Sequence, residues 1–226
     1  MTARKILAFD TSGPHVTAGL FGYGEPVYED MARGQAERLL PMCEDVLMRA
    51  KLDWENLDAI AVGIGPGNFT GIRIAVSTAR GLALSLGIPA IGVSGFEWLH
   101  QGYHSSGRVA ITLPAPRDQV YALVFLGGKP ITKPVLLDPG TRNPTLEQPG
   151  LHVAGYAAAK VSADYSASSD ETIWTDRNPQ LMASNLSLIA SNKLDEPGSW
   201  AVRPAPLYVR APDAAPPSDP PPLILP

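Results

Sequence analysis

Gly65-Pro66-Gly67-Asn68-Phe69-Thr70-Gly71-Ile72-Arg73 is the stretch on which the reading of the fold turns. It follows the apolar run Asp58–Ile64, which reads as a buried strand. It opens a helical pattern running from about Phe69 to Leu86, with Gly87 as its stop and Pro89 just beyond. Glycine-rich loops between a strand and a helix often hold phosphates. This loop is neither a Walker loop, since no Gly-Lys-Ser/Thr closes it, nor a dinucleotide fingerprint, since the pattern from Gly63 ends in Asn68. Read from local physics, it is a tight strand-to-helix connection with Asn68 or Thr70 as cap.

The helix it opens is apolar nearly all round. Gly71, Ala75, Ala79 and Ala83 fall four apart as a small-residue stripe, Ile72, Val76, Leu82 and Leu86 cover other faces, and Arg73 and Arg80 are the only formal charges. Such a helix must be covered on most sides. One side can face its own sheet, and the stripe admits the close approach of a second helix backbone. The expectation is that one face meets another subunit, the alternative being that every face is internal.

Upstream, Lys5–Phe9, Val16–Phe21 and Pro26–Asp30 read as strands joined by short turns, hence antiparallel. Gln35–Ala50 is helical, with Leu39, Leu40, Cys43, Val46, Leu47 and Ala50 on one face and Pro41 expected close to its start. With Ala90–Val93 as a further strand, these elements make a mixed α/β lobe ending near Gly107. Downstream, Val109–Leu113 and Val120–Phe125 pair across an irregular turn, Pro114–Asp118. Val135–Leu137, His152–Ala154 and Thr172–Trp174 are short strand candidates, and Gln180–Ala190 a helix. The expected organisation is a first lobe over 1–107, a smaller second lobe over 108–205 and a proline-rich extended tail over 206–226.

The 226-residue chain carries a formal net charge of −4 and a single cysteine, Cys43. One cysteine builds neither a disulfide framework nor a cysteine zinc site. An acidic chain does not hold a phosphate backbone by bulk electrostatics. The run Ile6–Phe9 is too short for a signal-peptide core, and no stretch of about 18 apolar residues suits a membrane span; the expectation is a cytoplasmic protein without membrane contact. Asp10-Thr11-Ser12, at a strand end, is either an ordinary turn or a degenerate phosphate-loop position, with Pro14 and His15 making it bulky. His100 and His104 have the spacing of a helical metal pair, but no acidic residue lies in the ten that follow. They read as a fraying helix end.

The stretches Ile6–Ser12, Glu37–Pro41, Val62–Arg73, Gly81–Ala83 and Gly87–Ser94 resemble, in order and spacing, the TsaB family, also called YeaZ. Arg117–Ala122 and Pro206–Arg210 extend the resemblance into the second half. It implies a two-lobed actin-like ATPase (ASKHA, ribonuclease H-like) α/β fold with mixed sheets flanked by helices. It implies a non-catalytic scaffold subunit of the complex that transfers a threonylcarbamoyl group to the adenosine beside the tRNA anticodon. Gly65, Pro66, Gly67, Phe69, Thr70, Gly71 and Arg73 are then the family motif, and Asp10, Thr11 and Ser12 the degenerate phosphate-loop position. Leu39, Met42, Cys43, Val46, Gly71, Ala75, Ala79 and Leu82 form the interface with the catalytic paralogue TsaD. The ATPase TsaE is a further implied partner, a homodimer the implied state alone, and tRNA is reached only through the complex. No cofactor is required by this chain; ATP or ADP belongs, if anywhere, at the partner interface. The paralogue's two histidines four apart have no counterpart, Gln35 and Leu39 holding that spacing, and Val153–Ala157 with its bulky Tyr156 is a degenerate second-lobe loop. The competing readings are an actin-like ATP-dependent phosphotransferase using Asp10 with magnesium and, on the His100/His104 pair, a metallopeptidase.

Overall fold

The computed structural model describes residues 4–101, 103, 107–198 and 202–210. Ile6–Asp10 (β1), His15–Leu20 (β2) and Val27–Asp30 (β3) form an antiparallel ribbon in which Asp10 stands opposite Thr17, and His15 opposite Asp30. Every residue of β1 is buried, as a strand with helices on both faces requires. Gln35–Ala50 (α1) follows, bounded by left-handed residues at Gly34 (φ 81°) and Lys51 (φ 54°). Pro41 lies in its second turn rather than at its start. The carbonyl it leaves unpaired, that of Glu37, sits on the exposed face, where water can take the bond.

Ala59–Gly63 (β4), Phe69–Leu86 (α2) and Ala90–Val93 (β5) make a parallel crossover unit, giving the sheet order β3-β2-β1-β4-β5. α2 starts on the Asn68 side chain, which accepts from the Gly71 N–H at 2.9 Å, and stops at Gly87 with φ 68°. Gly95–Gln101 (α3) leads into the second sheet.

That sheet comprises Arg108–Pro114 (β6), Val120–Leu126 (β7), Lys129–Pro130 (β8), Val135–Leu137 (β9), His152–Gly155 (β10) and Ser168–Asp170 (β11), with Ala158–Ala163 (α4) between the last two. Its order is β11-β10-β6-β7-β8, with β9 also on β7. β6 pairs antiparallel with β7 and parallel with β10, as β1 does with β2 and β4, so the two sheets share one plan. Where the first lobe inserts α1 before its fourth strand, the second has only the 3-10 turn Pro144–Leu146. Thr172–Trp174, expected as a strand, lies in a short helix, Thr172–Thr175 (α5). The Asp170 carboxylate accepts from both the Thr172 N–H (2.8 Å) and its hydroxyl (2.6 Å), which turns the chain into a helical start.

Period-two alternation in β1 divides the first core. Leu7 and Phe9 pack with α1 and α2, while Ile6 and Ala8 face Met182–Asp195 (α6), whose Ala183, Leu186, Ile189 and Ala190 are buried on the opposite side of the sheet. The expected second lobe of 108–205 places this helix with the wrong sheet. Lys193 Nζ reaches Glu97 at 2.6 Å and the Gly92 carbonyl at 2.8 Å, holding α6 on the first. The chain then returns along the first lobe, with the Leu207 N–H on the Ile64 carbonyl at 2.8 Å. The start of the expected tail is therefore packed against the body, and 211–226 lies outside the described residues.

Candidate functional site

Three loops meet at the carboxyl end of β1. Asp10 is buried, and its Oδ1 accepts from the Ser12 N–H (2.8 Å), the Ser12 hydroxyl (2.9 Å) and His15 Nε2 (2.8 Å). Its Oδ2 stands where a Cβ on Gly63 would be, 1.6 Å away, so β4 needs a glycine there. The His15 ring lies over Gly13 and stacks on Tyr28 at 5.4 Å. The start of α2 presses on the same hairpin: Asn68 N–H donates to the Ser12 carbonyl at 2.7 Å, and the Thr11 hydroxyl donates to the Gly71 carbonyl at 2.6 Å. Gln35, the first residue of α1, donates its amide to the Gly13 and His15 carbonyls at 2.7 and 2.8 Å.

A phosphate-binding hairpin needs free backbone N–H groups pointing at open space. Here the Ser12 N–H is spent on Asp10, and the His15 ring fills the place above Gly13. The residues present do not fit a nucleotide's phosphates, and Asp10 bonds inward instead of offering oxygens to magnesium. The turn after β10, read from the sequence as a degenerate second-lobe loop, is also self-satisfied. Gly155 (φ 122°) lies against the Thr112 carbonyl, which accepts from the Tyr156 N–H at 3.0 Å, while the Thr112 hydroxyl donates to the Tyr156 carbonyl at 2.8 Å.

The expected interface residues lie mostly inside. Leu39, Met42, Cys43, Val46, Ala75 and Ala79 are buried in the first core. Burial also pushes the Cys43 thiol above its usual range, which removes it as a nucleophile. Gly71 faces the Thr11 carbonyl and Gln35, so the small-residue stripe exists to let α2 approach its own hairpin and α1. Leu82 is half-buried. The face α1 and α2 present outward is a different set: Ala36, Leu40 and Met48 (70% exposed) on α1, Arg73, Ser77, Arg80 and Leu84 (83% exposed) on α2. At its edge, motif residues Phe69 and Arg73 contact Tyr208. The two rings stack at 5.2 Å, Arg73 Nε donates to the Tyr208 hydroxyl at 2.7 Å, and the guanidinium sits 3.7 Å from the Phe69 centroid. Pro66, Gly67 and Thr70 flank the cluster. Sequence reading matched Tyr208 to a motif but not to this contact, and missed the His15–Asp10 pair. Of the two histidines at metal-pair spacing, read as a fraying helix end, His100 stacks on Phe125 and His104 lies outside the described residues. Among the described residues no group of three metal-ligating side chains converges.

Two sheets of one plan, an antiparallel ribbon followed by two parallel strands, with one extra short strand in the second, define the protein as a member of the actin-like, ribonuclease H-like class. A family model described as TsaD, tRNA N6-adenosine threonylcarbamoyltransferase, matches residues 26–136. An uncharacterized protein of Mycobacterium tuberculosis is 34% identical over 225 residues, covering 93% of this chain and 94% of its own. The Escherichia coli tRNA threonylcarbamoyladenosine biosynthesis protein TsaB is 36% identical over 122 residues, 52% of this chain and 53% of its own. The solved structure of YeaZ from Pseudomonas aeruginosa superposes with a TM-score of 0.66 at 28% identity, covering 91% of this chain and all of that one. The chain belongs to the TsaB (YeaZ) family.

Proposed function

We propose that this chain is a non-catalytic, partner-binding subunit of the machinery that makes threonylcarbamoyladenosine in tRNA. The observation that carries the reading is the outward face of α1 and α2. It combines exposed apolar side chains, Leu40, Met48 and Leu84, with an arginine that lies over the Phe69 ring and donates to the Tyr208 hydroxyl, beside the family motif. Rigid aromatic and arginine anchors beside apolar surface are what protein interfaces are built from. The fitting partner is a second actin-like subunit of the TsaD kind, which would present its own equivalent helices. The self-satisfied hairpin and second-lobe turn support the non-catalytic half, and count against the phosphotransferase reading. TsaE, a homodimer in the partner's absence, adenine nucleotide at the partner interface, tRNA contact through the complex and a cytoplasmic setting belong to the same proposal.

Sedimentation of the chain mixed with the TsaD protein of the same cell tests it. We expect a stable heterocomplex, and a loss of affinity of about tenfold or more for Leu84→Glu, whose carboxylate would be desolvated in the contact, with no change in the monomer's melt. No association, or association indifferent to both Leu84→Glu and Arg73→Glu, contradicts the assignment.

A further inference from the structure

We propose that the cleft between the two sheets binds a small planar aromatic monoanion, its ring against the aromatic walls and its charge at Arg177. The cleft encloses about 450 Å3 between the Ser12–His15 hairpin and α3 on one side and the β6–β7 turn and the α5–α6 connection on the other. That volume suits a compact organic molecule. Tyr28, Trp98, Tyr121 and Trp174 line it. Trp98 and Tyr121 are buried, one face of Tyr28 is taken by His15 and one of Trp174 by the Arg177 guanidinium, so a flat ring stacks on the half-buried Tyr28 and on the guanidinium–indole pair. Arg177 supplies the charge. Its guanidinium lies 3.3 Å from the centre of the Trp174 ring, and Nη1 donates to the Trp174 carbonyl. It is half-buried, and no described carboxylate pairs with it. Burial lowers its pKa, the signature of a cation short of a counter-charge.

The charge balance narrows the ligand. Asp10 lies beside the cleft, but its Oδ1 already takes three hydrogen bonds from Ser12 and His15. One guanidinium thus answers one negative charge. A nucleoside polyphosphate has no amide cradle here, because the Ser12 N–H is spent and the His15 ring covers Gly13. None of the side chains named on the outward face of α1 and α2 lines the site, and the proposal does not depend on the partner assignment.

The test titrates the full chain with 1-anilinonaphthalene-8-sulfonate and with its uncharged analogue N-phenyl-1-naphthylamine, followed by fluorescence. We expect saturable one-site binding, with the anionic probe held about tenfold tighter. Arg177→Gln should weaken the anionic probe about tenfold (about 1.4 kcal/mol) and leave the neutral probe unchanged, which also shows the cleft intact. Ala115→Trp, which fills the cleft, should weaken both. If Arg177→Gln loses both probes, Arg177→Lys decides: a retained preference for the anion supports the site, and a lost one overturns it. Absence of saturable binding, equal affinity for the two probes, indifference to Arg177→Gln or to Ala115→Trp, or displacement by ADP at comparable affinity each overturns the proposal.

Discussion

Gly71 and Gly81 lie on the same helix and answer to different physics. A Cβ on Gly71 would lie 1.9 Å from the Thr11 carbonyl oxygen, a backbone atom that cannot move without shifting the hairpin. A Cβ on Gly81 meets nothing within 4 Å. Gly71→Ala should therefore cost about 3 kcal/mol, the upper end for overpacking, while Gly81→Ala should stabilise by about 0.5–1 kcal/mol through helix propensity. Denaturant melts of the two variants check this, and equal effects would refute the close packing of α2 on the hairpin. At this scale the sequence was half legible. The motif glycines and the Asn68 cap stood out because turn and cap chemistry are local. The partners of Asp10 and Gln35 did not, since His15 reaches Asp10 only once β2 folds back, and the Gln35 amide finds its carbonyls only when α1 packs on the hairpin. Tyr208 meets Arg73 across 135 residues of chain, a contact no local pattern encodes.

Among the elements, the small-residue stripe of α2 was expected to meet a partner and is instead largely buried in the first core, Gly71 against the Thr11 carbonyl and Gln35. Periodicity identifies an apolar face without saying which body covers it, and the sheet and α1 of the same lobe share the core that covers this one. Ala75→Leu should accordingly lower the fold's own stability by about 1–3 kcal/mol, each kcal/mol appearing as roughly 2–4 °C in Tm, whether or not a partner is present. A second test concerns the joint between β3 and α1. Arg38 Nη2 meets Glu29 at 2.6 Å and Asp45 at 3.3 Å. The Arg38 hydrogen bonds hold the Glu29 carboxyl below its usual range. A carboxyl whose folded pKa is depressed stabilises the protein above its unfolded pKa, and that contribution fades as pH falls through the folded value. Both carboxylates are more than a third exposed (37% and 38%), so the effect is modest. Arg38→Ala should cost at most about 1 kcal/mol near neutrality, and the gap to the parent should close in acid below the ordinary carboxylate range. A gap that widens there would contradict the sign.

For the whole molecule, the alternation of turn signals and periods made the first lobe legible almost strand by strand. The second was less so because its elements are short and its equivalent of α1 is reduced to a 3-10 turn. The helix at Met182–Asp195 was seen as a helix but assigned to the second lobe, since nothing in its pattern says that the chain crosses back to the first sheet. The resulting body keeps the actin-like plan while filling its phosphate hairpin with a buried His15–Asp10 pair, and it leaves an apolar, arginine-bearing face outside. On the proposed reading such a body acts by binding. The most direct measurement is therefore quantification of threonylcarbamoyladenosine in tRNA incubated with threonine, bicarbonate, ATP and the purified remaining components, with and without this chain. The account predicts that the modified nucleoside accumulates only when the chain is present, that Leu84→Glu lowers its yield, and that Asp10→Asn in a variant that still folds leaves it unchanged. Equal yield without the chain, or loss of yield on Asp10→Asn with the complex intact, would contradict a non-catalytic, partner-binding role.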